Sequence, residues 1–433
     1  MLSRSRETRM KMFQSLILST MIVISLLVQT TMAAGPGTLS LKKKQMLKAT
    51  SPLFKAIYQN HSGQEMIKLN GFSPDNGLTW EPVKPSPDFD KDLPYGYRRS
   101  PYGLWRDPVN GNILSLFNCM DTPDKDPKAH EPRWQWHWYY LRYRVSTDGG
   151  RTYLYDKPIV QKGKQYSTEH PVDGVHISKN CYFLGDLGCD PIRTREGTIL
   201  VPMQMPPLAN DGKSLHNPGG GWYWLQTRIL IGRWTENNDI EWGSSEPIVG
   251  DGKRTVRGLY EPTLAQMPDG NIICIMRGSN GGKSDPSNKL PSRKWLSVSK
   301  DGGHKWSKPE PWTYSDGEQF FSPSSMSELI THSNGRTYWI GNISEKNCQA
   351  NHPRWPLVIG EVDPKTYGII RENLVVIDTK LPDEEDVNLS HWHSIEDRQT
   401  GNIVITTSRA SKGYKSRSPV IYTIGVEMAR PHE

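Results

Sequence analysis

Long helical periodicity is absent from this sequence, and its absence argues against a helical class of fold. Hydrophobic residues make up 35% of the 433 residues, whereas glycine and proline are frequent, with 38 and 33 copies. This composition favours many short strands joined by turns, arranged as one large β architecture or as two domains. The sequence therefore predicts an all-β protein with a sizeable core.

The sequence is also poor in cysteine and shows no metal-type spacing of ligands. There are five cysteines, an odd number, and Cys181 and Cys189 could pair across a loop. We therefore expect no metal site and no other cofactor. A basic stripe is missing as well, and removal of residues 1–34, with four basic residues and Glu7, lowers the net charge from +7 to a mild value of about +4. A nucleic-acid partner is not expected, although the charge is compatible with an anionic substrate.

Residues 1–34 have the pattern of a secretory signal peptide. Basic residues within 4–11 precede an apolar run over about 13–28, and small residues follow at 33–35. A retained membrane anchor is the alternative, but the run is short for a membrane span. We expect cleavage to leave a mature domain of residues 35–433. That domain is expected to be secreted or periplasmic, monomeric, and without a membrane partner.

Three copies of one eight-residue pattern organise the rest of the chain. The pattern is Ser-x-Asp-x-Gly-x-Thr followed by an aromatic residue, and it occurs at 73–80, 146–153 and 299–306, with Lys305 replacing threonine in the third copy. Asp and Ser side chains can satisfy turn amides, glycine accepts a positive φ, and the aromatic residue can pack between sheets. We call each copy an Asp-box. Three copies indicate a repeat fold.

Glycine hairpins form a second repeated element. Five glycines are each followed by an apolar strand and are spaced by 86, 73, 65 and 66 residues: Gly111, Gly197, Gly270, Gly335 and Gly401. Segments 234–242 and 362–367 resemble degenerate Asp-boxes and occupy the corresponding positions after Gly197 and Gly335. Each unit then has four strands, which is typical of a propeller blade. We predict a β-propeller with six blades, five or seven being the alternatives. The Asp75 box and the Gly401 unit, at the two ends, are expected to complete one another and close the ring.

Alignment of the units predicts a site at one end of the propeller axis. Polar residues end the second strand of each unit: Asn118, Gln204, Arg277, Asn342 and Ser408. The antiparallel first strands begin beside them with Tyr102, Asp190, Glu261, Glu328, Trp392 and His393. An antiparallel hairpin places these two sets next to each other. The alternative is that they merely face solvent or a water-filled channel.

The Asp-boxes, together with the segment 260–277, resemble the sialidase (neuraminidase) superfamily over essentially all of residues 35–433. The resemblance implies three arginines that hold a substrate carboxylate, as the planar guanidinium suits. Arg277 matches one of them, and Arg354 lies in a segment similar to that of a second. Arg98 or Arg99 is the candidate for the remaining one. Glu261 matches the glutamate that, in the family, assists a tyrosine nucleophile.

Two features depart from the family pattern. The nucleophilic tyrosine should open the last inner strand, where this chain has His391 and His393 instead. The nucleophile could then be Tyr95, Tyr97 or Tyr102, or the chemistry could differ. The acid/base aspartate is expected within 118–126, where Asp121, Asp124 and Asp126 are candidates without the usual flanking arginine.

The segment 131–143 is rich in aromatic residues around His137. Alternating tryptophans at 134, 136 and 138 predict a strand with one aromatic face. This strand is either a sugar platform with His137 at its edge or the buried third strand of a blade.

The first functional hypothesis is an exported exo-acting glycosidase, exo-α-sialidase-like, that removes a terminal acidic sugar from a glycan. The alternatives are a polysaccharide lyase or another glycosidase acting on uronate-containing polysaccharide, and a carbohydrate-binding propeller without catalysis. The predicted catalytic residues are Glu261, His393, Asp121 and Tyr102. The predicted substrate-binding residues are Arg98, Arg99, Arg277, Arg354, Asp190, Gln204, Asn342 and His137.

Overall fold

The computed structural model describes residues 39–46, 55–123, 135–411 and 416–427. Its first thirteen strands are β1 Leu39–Met46, β2 Ile57–Tyr58, β3 Met66–Lys68, β4 Gly71–Ser73, β5 Glu81–Pro82, β6 Tyr97–Arg106, β7 Ile113–Asp121, β8 Tyr139–Ser146, β9 Asp156–Pro158, β10 Ile192–Arg193, β11 Ile199–Met205, β12 Gln226–Trp234 and β13 Ile240–Ser244.

The remaining eleven strands are β14 Tyr260–Gln266, β15 Ile272–Arg277, β16 Lys294–Ser299, β17 Glu310–Pro311, β18 Glu328–Thr331, β19 Thr337–Asn342, β20 Leu357–Glu361, β21 Val375–Asp378, β22 His393–Glu396, β23 Ile403–Ser411 and β24 Ser416–Val426. One helical turn, α1, covers Gln135–Trp138, and a 3₁₀ turn covers Arg371–Asn373.

The strands form six four-stranded antiparallel sheets, which confirms the six-bladed β-propeller. Blades 1 to 5 are β2–β5, β6–β9, β10–β13, β14–β17 and β18–β21, each in sequential order. Blade 6 has the order β22-β23-β24-β1, so its outer strand comes from the N-terminal side of the propeller. The first strands of neighbouring blades surround the axis, as in other propellers.

The three Asp-boxes lie where they were predicted, in the turns between the third and fourth strands of blades 1, 2 and 4. In the first, Asp75 Oδ1 accepts hydrogen bonds from Ser73 Oγ at 2.9 Å and from the Thr79 amide at 2.8 Å. The Gly77 amide donates to Ser73 Oγ at 2.8 Å, and Gly77 has a φ of 81°. The side chains therefore replace the backbone partners that the turn lacks. The two degenerate copies occupy the same turn in blades 3 and 5.

Ring closure differs in detail from the prediction. Strand β1 pairs with β24 from Leu39↔Val426 to Met46↔Val420, so the two ends of the propeller do share a blade. The Asp75 box, however, belongs to blade 1, which has four strands of its own. The misassignment arose because those strands are only two or three residues long, and their first hairpin turns at Gly63 without a long apolar strand after it.

Apolar clusters fill the spaces between adjacent blades. Representative buried pairs in these clusters are Ile67 and Ile113 for blades 1 and 2, Leu116 and Val201 for blades 2 and 3, Leu200 and Cys274 for blades 3 and 4, Ile275 and Trp339 for blades 4 and 5, and Ile340 and Ile405 for blades 5 and 6. Burial of these side chains is the main stabilising contribution to the fold.

Polar contacts join blade 6 to blade 1. Tyr58 donates to Asn76 Oδ1 at 2.6 Å, and Asn76 in turn donates to Asp397 at 2.8 Å. Arg398 stacks on Tyr58, with its guanidinium carbon 4.0 Å from the ring centroid, and donates to the carbonyl of Asn60 at 2.6 Å. This seam closes the ring through hydrogen bonds and a cation–π contact.

Two other sequence expectations are corrected. Cys181 and Cys189 are both free and buried, as are the other three cysteines, so the suggested disulfide is not formed. Trp136 and Trp138 lie in α1, and the third strand of blade 2 begins only at Tyr139.

Several predicted features lie outside the described residues: the targeting segment 1–34, Asp124, Asp126 and the segment 131–134. Within the described ranges, the search for a helix long and apolar enough to cross a membrane found none.

Candidate functional site

A cavity of ≈ 630 Å³ opens where blades 3 to 6 converge. Its charged and polar lining residues are Asp186, Glu261, Arg277, Arg354, Ser390, His391, Thr406, Thr407, Ser408 and Arg417. These residues come from loops and strand ends, which is where a propeller places binding residues on a rigid scaffold. The cavity has the size of a small-ligand site, and its arginines favour an anionic ligand.

Glu261 sits on a bulge at the start of β14. The pairing register shifts between Tyr260 and Thr263, and Glu261 has a φ of 47°, in the left-handed region. Such a backbone conformation is costly for a non-glycine residue and is most often found at functional sites. The bulge turns the carboxylate towards Arg277, whose Nη1 lies 2.5 Å from both carboxylate oxygens.

The Glu261 carboxylate is held in its charged form. Burial alone disfavours the charge, but Arg277, Arg354 and Arg257 outweigh it and lower the pKa of Glu261. The group is therefore ionised at neutral pH, as a base or an electrostatic stabiliser requires.

Ser324 connects the two buried arginines of the cavity. Its Oγ accepts from Arg277 Nε at 2.8 Å, and its carbonyl accepts from Arg354 Nη2 at 3.2 Å. Arg354 also donates to Ser390 Oγ at 2.8 Å. Beneath this segment Lys294 is fully buried and donates to the carbonyls of Pro323 and Ser325. Burial, together with the charge of Arg277, lowers the pKa of Lys294.

His391 and Asp186 form a second titratable pair in the cavity. His391 Nε2 lies 3.5 Å from Asp186 Oδ2, and His391 Nδ1 lies 3.2 Å from Ser390 Oγ. The backbone of His391 is also left-handed, with a φ of 69°. The Asp186 carboxylate orients the imidazole ring, and an imidazole is a group that can transfer a proton to or from a bound ligand.

Three predicted polar residues at the ends of second strands hold the loops of the cavity: Asn118, Gln204 and Asn342. Asn118 exchanges hydrogen bonds with the backbone of Leu184 at 2.9 and 3.2 Å, close to Asp186. Gln204 Oε1 accepts from the amide of Glu261 at 2.9 Å. Asn342 Nδ2 donates to the carbonyls of Arg354 at 3.2 Å and Leu389 at 3.3 Å. None of the three side chains lines the cavity.

Arg98, Arg99 and Asp121 also do not line the cavity; they lie together in blade 2. Arg99 donates to both carboxylate oxygens of Asp121, at 2.5 and 3.4 Å, and Tyr140 donates to Asp121 at 2.5 Å. Arg98 donates to the hydroxyl of Tyr139. The aspartate is thus occupied by an arginine and a tyrosine of its own blade.

Tyr102 and Asp190 are partly buried and do not line the cavity. The Tyr102 hydroxyl donates to the carbonyl of Asp186 at 2.5 Å and accepts from the amide of Cys189 at 2.8 Å, so it fixes a loop of the cavity. Asp190 forms an ion pair with Lys55 and lines a separate axial cavity of ≈ 500 Å³.

The other histidine candidates lie outside the cavity. Burial and the charge of Lys55 lower the pKa of His393 to about 3, so this ring is neutral at physiological pH. His137 Nδ1 lies 2.7 Å from the carbonyl of Lys179. No tyrosine of the described residues lines the cavity, and Tyr95 and Tyr97 are among those that do not.

The structure therefore brings together Glu261, Arg277 and Arg354 from the predicted catalytic and substrate-binding residues, and it adds Ser408 and His391, which the sequence analysis also named. Sequence reasoning missed Asp186, Ser324 and Arg417 as site residues. Asp186 lies only four residues before Asp190, which was selected as the start of an inner strand. The loop residues carried no repeat signal. In the described part of the chain, no group of three or more histidine, cysteine, aspartate or glutamate side chains is arranged to hold a metal ion.

Six four-stranded blades with Asp-box turns define this molecule as an Asp-box β-propeller. The chain belongs to the BNR repeat-like domain family, whose profile matches residues 128–397, more than half of the sequence. No curated protein sequence matches the chain.

Solved structures with a similar course of the chain include three glycoside hydrolases. A Hadza microbial sialidase is 14% identical, with a TM-score of 0.47, over 84% of this chain and 60% of that one. A mutant of the NanB sialidase from Streptococcus pneumoniae is 12% identical, with a TM-score of 0.49, over 82% and 62%. A family 117 glycoside hydrolase from Zobellia galactanivorans is 12% identical, with a TM-score of 0.40, over 80% and 89%. This chain thus spans about three fifths of the length of the two sialidases.

Proposed function

We propose that this protein is an exported glycosidase that removes a terminal acidic sugar from a glycan. The observation that carries the proposal is the convergence of Glu261, Arg277 and Arg354 on one cavity, opposite the pair Asp186–His391. Arginines beside the cavity favour a carboxylate-bearing sugar because a guanidinium binds a carboxylate through two parallel hydrogen bonds.

In this proposal each titratable residue of the cavity has a distinct role. Glu261 remains ionised and either activates the attacking group or stabilises the positive charge that develops on the sugar ring. His391, oriented by Asp186, donates the proton that the leaving oxygen needs. Arg277 and Arg354 bind and orient the substrate carboxylate.

A lyase acting on a uronate-containing polysaccharide is the second candidate. It is favoured by one observation: a histidine–aspartate pair, and no tyrosine of the described residues, lines the cavity. In such a reaction His391 would remove the proton beside the carboxylate of the uronate. The glycosidic C–O bond would then break as a C=C bond forms, the leaving oxygen would take the proton back from His391, and the arginines would neutralise the carboxylate.

The test is incubation of the purified protein with a fluorogenic sialoside and a panel of acidic polysaccharides. Release of reducing sugar and ultraviolet absorbance are followed together, since only elimination creates an absorbing double bond. We expect Glu261→Gln and His391→Ala each to lower kcat by about 10²-fold or more. The matched controls are Glu236→Gln and His216→Ala, which change exposed side chains outside the cavity.

The outcomes separate the candidates. Loss of acidic-sugar release in both site variants but in neither control supports the glycosidase. An absorbance increase that needs His391 identifies the lyase. Saturable glycan binding without turnover by the wild type would contradict both and leave a binding propeller.

A further inference from the structure

Arg257 lies beside the cavity in an unusual environment for a guanidinium. Its guanidinium carbon is 3.9 Å from the centroid of the Tyr223 ring and 5.2 Å from that of Tyr260. The guanidinium carbon of Arg277 lies 4.8 Å from the centroid of the same Tyr260 ring. Tyr260 therefore contacts both Arg257 and an arginine of the cavity. Arg257 Nε is buried and has no hydrogen-bond partner among the described residues.

The charges around Arg257 favour the arrival of an anion. Burial, together with the positive charges of Arg277 and Arg354, lowers the pKa of Arg257. Several other arginines of the molecule form ion pairs with carboxylates; Arg254, three residues earlier, pairs with Glu310 at 3.0 Å. No carboxylate of the described residues forms such a pair with Arg257. A bound carboxylate or sulfate would provide the missing partner.

Next to Arg257 three aromatic side chains form a continuous surface, which we call the aromatic platform: Trp136, Trp222 and Tyr223. Trp136 and Tyr223 have ring centroids 4.3 Å apart, and Trp222 lies 5.6 Å from Tyr223. Trp222 is 70% exposed, which is high for so large an apolar side chain. Trp136 and Tyr223 are partly buried and pack against the core beneath them, so they support an exposed Trp222 ring that is available to a ligand.

We propose that Arg257 and the aromatic platform form a second saccharide subsite, which takes an anionic sugar linked to the sugar in the cavity. This inference rests on the proposed function, because an exo-acting site holds only the terminal sugar. The rest of the glycan must then leave across the surface beside the cavity. The exposed Trp222 ring offers an apolar face to a sugar ring, and the Arg257 guanidinium offers paired donors to its carboxylate or sulfate.

Titration calorimetry with defined saccharides tests the subsite. The probes are galacturonic acid, its trimer, the methyl ester of that trimer, and a sulfated galactose trisaccharide. We expect Arg257→Gln to weaken the binding of both anionic trimers by about tenfold or more. The same substitution should change the binding of the methyl ester and of the monomer little. Trp222→Ala is expected to weaken all three trimers, including the neutral ester, because it removes the ring face.

Two controls keep the result specific. Arg254→Gln removes an arginine that also stacks on an aromatic ring, Trp295 at 4.7 Å, but that has its own carboxylate partner. It should leave trimer affinity unchanged. Arg257→Lys keeps the charge but loses the planar fork, and it is expected to recover only part of the affinity.

Arg277→Gln separates the subsite from the cavity. Trimer affinity that depends on Arg277 but not on Arg257 or Trp222 overturns the subsite and leaves the proposed function intact. Trimer affinity that depends on Arg257 and Trp222 but not on Arg277 overturns the proposed cavity instead. A wild-type protein that binds the trimers no better than the monomer also overturns the subsite.

Discussion

Ser324 is the residue through which the two buried arginines of the cavity are held at a fixed separation. Its hydroxyl accepts from Arg277 Nε at 2.8 Å and lies 3.0 Å from the Tyr260 hydroxyl, while its carbonyl accepts from Arg354. The side chain therefore orients Arg277 without reaching the substrate itself. A residue of this kind should affect substrate binding more than the chemical step.

We expect Ser324→Ala to raise KM for an acidic substrate by about tenfold with a smaller change in kcat, since one charge-assisted hydrogen bond is lost. Steady-state kinetics measure the split. Ser322→Ala is the matched control, because Ser322 is a buried serine of the same segment whose hydroxyl donates to the carbonyl of Asn342 at 2.7 Å. Equal effects of the two substitutions would show that the segment, and not the Arg277 contact, is responsible.

At the residue scale, strand register predicted Glu261 and Arg277, whereas the loop residue Arg354 was predicted only from the resemblance to a known family. Glu261 and Arg277 were identified because each occupies a fixed position relative to a hairpin glycine, and Tyr260 pairs with Arg277 in the sheet. Asp186 and Ser324 lie in irregular segments whose course depends on tertiary contacts. No period in the sequence reports such contacts.

Among the elements, β1 has a special role because it completes blade 6 from the N-terminal side of the propeller. Asp378, at the end of β21 in the neighbouring blade 5, binds β1 through its carboxylate. Its carboxylate accepts from Lys44 of β1 at 2.9 Å and also from Arg409 and Tyr422 of blade 6. One buried carboxylate thus links three strands of the closing blade to blade 5.

We expect Asp378→Asn to lower the free energy of unfolding at pH 7 by about 2 kcal/mol, because the lysine and the arginine lose their partner at a partly screened site. Thermal and denaturant unfolding measure it. In contrast, Asp316→Asn breaks only a half-exposed pair with Arg371 at 3.4 Å and should change stability little.

The pH dependence of this contribution has a definite sign. Burial opposes ionisation of Asp378, but hydrogen bonds from Tyr422, Lys44 and Arg409 prevail and lower its pKa. A group with a depressed folded-state pKa stabilises the protein above its unfolded pKa, and this stability disappears as the pH falls through the folded value. The difference between wild type and Asp378→Asn should therefore shrink below about pH 4. A difference that stays constant down to pH 3 would contradict this role.

At the element scale, the repeated sequence pattern was sufficient to predict a blade wherever a hairpin glycine is followed by an apolar second strand. Blade 1 lacks such a strand, and the pattern therefore did not predict it as a separate blade. Its strands β2 and β5 have two residues each, too few to show alternation. The N-terminal strand β1 is rich in lysine, which suits an exposed outer strand but gives no sign of its partner β24.

Two of the cavities that the described residues form lie near the propeller axis, and the proposed substrate site with Glu261, Arg277 and Arg354 is one of them. The other, of ≈ 500 Å³, is lined by residues of the inner strands and contains Glu328 and the ion pair Lys55–Asp190. Glu328 Oε1 accepts from Ser394 at 2.7 Å, whereas Oε2 is buried without a hydrogen-bond partner among the described residues. This carboxyl group is better suited to its protonated form.

Burial and the charge of Asp190 raise the pKa of Glu328 to about 7, although Lys55 opposes the shift. A raised folded-state pKa means that the stabilisation is complete below the unfolded pKa and is lost as the pH rises through 7. Between about pH 5 and 8 the wild type should therefore lose on the order of 1–3 kcal/mol through this group. The amide of Glu328→Gln cannot ionise, so the variant should not show this loss.

Melting temperatures of wild type and Glu328→Gln across pH 5 to 8 test the argument. We expect the two proteins to be similar near pH 5 and the variant to be more stable at pH 8. Glu318→Gln, at an exposed position, should follow the wild type. Parallel curves for all three proteins would mean that Glu328 is ionised in the folded state, with Lys55 as its counter-ion. The expected result would instead show that Glu328 is protonated beside the Lys55–Asp190 ion pair at mildly acidic pH and loses its proton as the pH rises.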